Sequence, residues 1–286
     1  MFQRWLVAIV GLPLLLAVLL LCPAWATMIL VVAIAVIAAY ELMHVAGKNV
    51  SNWVCLAVMV CAALQVATVY RLRSLLDTEL AFSFLEESRT VQLFQFPFLL
   101  VVLLFLTAVV TYEKPNALPF SAVAVGVVGG VVFPMMFVCI LLLRMHGDYG
   151  RLYVLAPFFI AFAGDSLAMY CGKWFGKKKL TPVSPKKTWA GFYGSILGSV
   201  LGMALFGFVG AKWLGYAPNW ALLALVGVAG NLLGQLGDLS TSLIKREVGV
   251  KDYSHLFLTH GGMLDRFDST LFIAPAVYYF VSAGLI

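Results

Sequence analysis

The residues of this chain that could do chemistry crowd into two short segments and one helical stripe. From Ser242 to Asp268 it reads S-L-I-K-R-E-V-G-V-K-D-Y-S-H-L-F-L-T-H-G-G-M-L-D-R-F-D. Lys245, Arg246, Lys251 and Arg266 are interleaved with Asp252, Asp265 and Asp268, and His260-Gly261-Gly262 sits where the chain must turn. Carboxylates hold a divalent cation through oxygen, while cations and backbone amides cradle phosphate oxygens. A cluster of both signs therefore suits phosphoryl or nucleotidyl transfer. The glycines let backbone approach an anion closely.

The stripe precedes this segment. Asn231, Gln235, Asp238, Ser242 and Lys245 recur at helical spacing, which lines them up on one face, and Gly227, Gly230, Gly234 and Gly237 strip bulk from an adjoining face. Polar side chains at membrane depth need a cavity or a partner. Two readings stay open for Asn231 and Gln235, a site or hydrogen bonding between helices; Asp238 must be paired or bound to a cation. The second segment, 173–189, reads K-W-F-G-K-K-K-L-T-P-V-S-P-K-K-T-W. Its lysines can hold several phosphate charges, with hydroxyls from Ser184 and Thr188; the plainer reading is a topology signal that touches anionic lipid. Asp165, in an apolar stretch, is open to site participation or structural pairing.

The elements that must position these groups follow from composition. The chain has 286 residues, 63% hydrophobic and 11% charged, so it cannot be dressed in a water-facing surface, and a large soluble domain is excluded. The expected fold is all-α and polytopic, with about nine membrane-spanning helices near 5–22, 27–43, 53–70, 92–112, 118–143, 152–172, 190–210, 219–239 and 268–286. The first resembles a signal peptide, with Arg4 ahead of it and Ala24-Trp25-Ala26 behind, but its long apolar core favours a retained span. An N-terminus in the cytoplasm puts thirteen of the nineteen Lys and Arg on the inside, which sets the orientation. Polarity divides the chain into an N-terminal set of about five spans, 1–145, and a C-terminal catalytic region with cytoplasmic basic loops, 146–286. In the first part Glu41 and His44 are the main ionisable exceptions.

The five cysteines form no C-x-x-C pair and read as packing residues. A P-loop, a dinucleotide fingerprint, H-E-x-x-H and G-x-S-x-G are all missing, which removes support for a P-loop ATPase, a redox enzyme or a zinc protease. The histidines are too few for a histidine-built metal site, so a metal here would be oxygen-ligated.

Taken together, Gly237-Asp238-Leu239, Ser242, Lys245-Arg246, Lys251-Asp252, Ser254, His260-Gly261-Gly262, Asp265-Arg266 and Asp268 resemble the C-terminal signature of phosphatidate cytidylyltransferases. Ser184-Pro185-Lys186-Lys187-Thr188-Trp189 resembles that family's second cytoplasmic motif. Three positions depart from the family pattern: Leu258-Thr259 stands for Pro-Gly, Ala190 for Glu and Thr241 for Glu.

The resemblance implies an integral protein of the bacterial inner membrane, its active site facing the cytoplasm. There the phosphate of phosphatidic acid would attack the α-phosphorus of CTP, releasing pyrophosphate and giving CDP-diacylglycerol. By carry-over, Asp238 and Asp265 would hold Mg²⁺, a second cation being left open, with Asp268 supporting the metal from behind its direct ligands. Lys245, Arg246, Lys251 and Arg266 would neutralise the transferred and leaving phosphates, with Asp252 among the catalytic group. His260, Gly261 and Gly262 would shape the phosphate loop, and Ser184, Lys186, Lys187, Thr188 and Ser242 would bind nucleotide or lipid phosphate. Gly194, Gly198 and Gly202, spaced by fours, read as a close-packing surface; a homodimer is implied, whose interface they could also serve, and no nucleic-acid partner is. The rivals are a CTP-dependent lipid kinase, a transporter and a lipid-binding scaffold.

Overall fold

Without water to satisfy them, backbone N–H and C=O groups must bond within the chain, so long apolar runs fold as helices. The computed structural model describes residues 11, 13–47, 50–76, 86–257 and 261–286. After a helical stretch at 13–20 come α1 (Ala24–Ala46), α2 (Asn52–Leu76), α3 (Glu86–Val110), α4 (Phe120–Val127), a π-helical turn (Val128–Val132), α5 (Phe133–Arg144), α6 (Gly150–Tyr153), α7 (Ala156–Phe175), α8 (Trp189–Leu214), α9 (Trp220–Glu247) and α10 (Met263–Ser282). The fold is all-α, and no strand is present among the described residues.

Seven stretches are long and apolar enough to cross a membrane: Ala24–Ala46, Asn52–Leu75, Val91–Val110, Phe120–Arg144, Gly150–Phe175, Trp189–Leu214 and Trp220–Glu247. They coincide with the second to eighth expected spans. Of the first, 5–22, residues 5–10 and 12 lie outside the described residues, and 13–20 are helical. The ninth exists as α10, but Asp265, Arg266 and Asp268 in its opening turns set it apart from those seven.

The chain forms two compact units, Met1–Leu141 with Val248–Arg266, and Leu142–Glu247 with Phe267–Ile286. In the first, Ala35, Ala38 and Ala39 of α1 are fully buried, as are Val58 and Ala62 of α2, so small side chains let these helices meet. The π-helical turn holds Gly129 and Gly130, and the Gln65 amide of α2 donates to the Gly130 carbonyl. A widened turn disrupts the regular backbone ladder, and the amide gives one of its carbonyls a partner within the apolar interior.

In the second unit α7 and α8 pack backbone against backbone. A Cβ added at Gly194 would lie 2.6 Å from Cys171 Cβ, one at Gly202 2.6 Å from the Phe159 carbonyl oxygen, and one at Gly198 would press on the Ala163 carbonyl. The close-packing surface expected of these glycines is thus formed within the chain. The small face of α9 is used similarly: Gly227 meets the Ser199–Val200 backbone of α8, and Gly237 the backbone of Asp268 in α10. Gly198→Ala is therefore expected to lower stability by about 1–3 kcal/mol through overpacking, read by thermal denaturation in detergent. Leu201→Ala, on the exposed face of the same helix, should shift it by no more than about 0.5 kcal/mol. Equal stability of the Gly198→Ala protein and the parent would refute the close approach.

Candidate active site

The basic segment is held by its own backbone. Trp189 N–H donates to the Lys178 carbonyl at 3.1 Å, Leu180 N–H to the Lys187 carbonyl at 3.0 Å and Lys187 N–H to the Ser184 carbonyl at 3.0 Å, so 178–180 and 187–189 run side by side. Thr188, buried, is the N-cap of α8: its hydroxyl accepts from Gly191 N–H at 3.1 Å. This cap satisfies a donor that the helix start would leave orphaned, and it fixes the direction in which the preceding lysine leaves the turn.

That lysine reaches the stripe. Lys187 Nζ lies 2.6 Å from Asp238 Oδ2, with the side chains 23% and 30% exposed, and Ser242 Oγ donates to Asp238 Oδ1 at 3.3 Å. A pair so largely withdrawn from water is screened less than a surface ion pair. Asp268 in α10 is in electrostatic reach of Asp238, Lys245 and Asp165, because Gly237 brings α10 against α9. Lys245 is buried although charged, and Arg246, its neighbour, is exposed.

A cleft of about 410 Å³ opens beside these groups, lined by Asp165, Lys173, Lys186, Lys187, Thr188 and Gln235 together with apolar Met169 and Phe192. The Asp165 side chain is exposed on this cleft rather than buried in packing. Ser184 is half-buried in the turn that carries Lys187.

Deeper along α9 the stripe changes use. Asn231 Nδ2 donates to Ser195 Oγ and Ser199 Oγ at 2.7 Å each, Gln235 Nε2 donates to Asn231 Oδ1 at 2.7 Å, and Ser199 Oγ donates to the Ile160 carbonyl at 2.8 Å. Of the two readings left open for Asn231, its contacts are those of interhelical hydrogen bonding. Gln235 does both, closing this network and lining the cleft.

The remaining candidates lie in the first unit. Asp265 Oδ2 accepts from Tyr253 N–H at 2.8 Å and from Gly262 N–H at 2.9 Å, and Gly261 holds a left-handed φ of 78° that side-chain-bearing residues rarely adopt. Lys251 and Arg266 are exposed and Asp252 half-buried. His260, with Leu258 and Thr259, lies outside the described residues.

Sequence reasoning missed Glu41. This α1 carboxylate is 2% exposed; Oε1 accepts from Met263 N–H at 2.8 Å and Ser254 Oγ at 2.5 Å, and Oε2 from Leu264 N–H at 2.8 Å. The anion at the glycine turn is thus one the chain itself supplies. Its signal was an acid in an apolar helix. The His44 ring, one turn on, stacks on Tyr40 at 5.7 Å.

In the second unit the carboxylates of Asp238 and Asp268 offer oxygen donors of the kind that Mg²⁺ takes. Among the described residues no three His, Cys, Asp or Glu side chains stand close enough together to hold a metal. Mg²⁺ needs no such cage, since it is commonly bound by one or two carboxylates with the rest of its sphere from water and substrate phosphates.

The sequence is 43% identical over 133 residues to the phosphatidate cytidylyltransferase of Synechocystis, covering 46% of this chain and 44% of that one. It is 35% identical over 185 residues to the protein of that name in Bacillus subtilis, covering 64% and 66% respectively. A third, from Rickettsia felis, is 33% identical over 163 residues, covering 56% and 71%. The aligned stretches thus span about half to two thirds of the first two relatives' own length. The profile of the Cytidylyltransferase family matches residues 2–283, nearly the full sequence, and the chain belongs to that family.

Proposed function

We propose that the protein is a phosphatidate cytidylyltransferase of the inner membrane, moving CMP from CTP to phosphatidic acid at the cytoplasmic face. The observation that carries this reading is the 2.6 Å contact between Lys187 and Asp238, which joins the basic turn to the polar stripe of α9. Both substrates are polyanions and one carries acyl chains. Lysines on a cleft with an apolar side therefore meet the needs of a phosphate headgroup at the edge of a bilayer.

In the proposed reaction a phosphate oxygen of phosphatidic acid bonds to the α-phosphorus of CTP, and the bond from that phosphorus to the bridging oxygen of pyrophosphate breaks. The nucleophile is already anionic and requires no base. Lys186 and Lys187 hold phosphate oxygens at the cleft. Lys245, buried next to the carboxylates, neutralises charge that grows on the transferred and leaving groups, and preorganised cations of this kind cost no reorganisation as the reaction proceeds. Arg246, exposed near the end of α9, meets incoming phosphates, and the resemblance gives Lys251 and Arg266, both exposed, the same role.

Asp238 is the carboxylate assigned to Mg²⁺, with Asp268 in support. When bound, the ion would draw charge from the triphosphate oxygens and help set the α-phosphorus in line. Lys187 answers the Asp238 charge. The metal role that the resemblance gives Asp265 is proposed for that residue separately, beside the loop contacts it makes. A cytoplasmic N-terminus and a homodimer belong to the same proposal.

Purified protein in detergent, given phosphatidic acid, Mg²⁺ and CTP labelled in the α-phosphate, is expected to form labelled CDP-diacylglycerol and release pyrophosphate. Labelled CDP without CDP-diacylglycerol would instead identify a kinase. EDTA should abolish turnover and added Mg²⁺ restore it. Asp238→Asn should lower kcat by about a hundredfold or more, and retention of full activity would remove Asp238 from the metal. Lys187→Ala should raise the KM for CTP or phosphatidic acid by about tenfold, the scale of one charge-assisted hydrogen bond, and an unchanged KM for both would refute its phosphate role.

A further inference from the structure

Resting on that reading of the activity, we infer that Glu41, in the first of the described membrane helices, is a positioning residue for the reaction: it fixes the start of α10, whose opening turn carries Asp265 and Arg266. The junction before α10 lacks a cap of its own. Gly262 immediately precedes the helix and has no side chain to accept from the first free N–H groups. Glu41, 222 residues away from Met263, supplies both oxygens instead: Oε1 to Met263 N–H and Oε2 to Leu264 N–H, each at 2.8 Å. A negative charge at this position also opposes the positive end of the helix dipole.

The surrounding residues are built around that carboxylate. A Cβ at Gly262 would lie 2.6 Å from Glu41 Cδ, so only glycine leaves room for it. Ser254 Oγ donates to Glu41 Oε1 and in turn accepts from Leu256 N–H at 3.2 Å, which ties the loop ahead of α10 to the same group. Asp265 completes the turn by taking Gly262 N–H. Three consecutive amides, those of Gly262, Met263 and Leu264, are thus engaged by two carboxylates of the chain. The position of Asp265 along its helix, and hence the direction of Arg266 beside it, depends on Glu41 without Glu41 touching substrate.

The test is kinetic. Glu41→Gln keeps the shape but turns one acceptor into a donor facing an N–H. Its kcat, per amount of folded protein, is expected to fall about tenfold or more, the scale of losing a charged hydrogen-bond acceptor in a buried place. KM for CTP should change by less than about threefold, since phosphate contacts elsewhere survive. Glu41→Asp, which restores charge at shorter reach, should recover part of kcat. A purely structural role would lower the yield or melting temperature and leave kcat per folded molecule at the parent value, which overturns the inference. If Glu41→Gln is recovered unfolded, Ser254→Ala carries the test: it removes one of the three hydrogen bonds and should lower kcat by about threefold, and a parent-like kcat again overturns the inference. Parent protein that makes no CDP-diacylglycerol would overturn the proposed function itself, an outcome distinct from active parent with active Glu41→Gln.

Discussion

A carboxylate taken out of water must be met by a cation or by several N–H and O–H donors, because its lost hydration is otherwise uncompensated. This chain meets the requirement in both ways. Asp238 is met by Lys187 at 2.6 Å, across from a turn 51 residues earlier in sequence. Glu41 is met by two helix-start amides and a serine. In each case the answering group belongs to one of the segments with the richest chemistry, so the cost of burying the acid is offset by contacts that also fix that segment.

Close backbone approach makes such contacts reachable. Gly194, Gly198 and Gly202 let α8 lie against α7, Gly227 lets α9 lie against α8, and Gly237 admits α10. Each glycine removes the Cβ that would hold two helices apart, and within an apolar surrounding such packing supplies much of the association. The Asn231 network uses the same proximity, since amide and hydroxyl groups only two or three bonds long can bridge helices that nearly touch.

Much of the fold was legible because burying an apolar surface and satisfying a backbone in lipid are local, additive requirements. Composition excluded a soluble chain, and seven of the expected spans are helices of spanning length. The stripe on α9 was visible from spacing alone, and the cluster of charges near α10 from residue type. Less legible was what each polar group does. Asn231 and Asp238 stand two turns apart on one face, yet one bonds helices together and the other takes a lysine. Thr188 reads as a phosphate-binding hydroxyl, and its contact is a helix cap. The glycine pair before α10 reads as a cradle for substrate phosphate, and its neighbouring amides go to Glu41 and Asp265. Spacing reports which face a residue occupies but not which helix lies opposite.

By itself the sequence determined the class of protein, the membrane helices, and the residue types that can bind metal and phosphate, because these depend on hydropathy, periodicity and charge along the chain. Tertiary structure alone decided the partners: Lys187 for Asp238, Ser195 and Ser199 for Asn231, and the start of α10 for Glu41. Hydrogen bonds and ion pairs act over about three ångströms, a separation set by how helices distant in sequence pack, and that is a quantity no local pattern encodes.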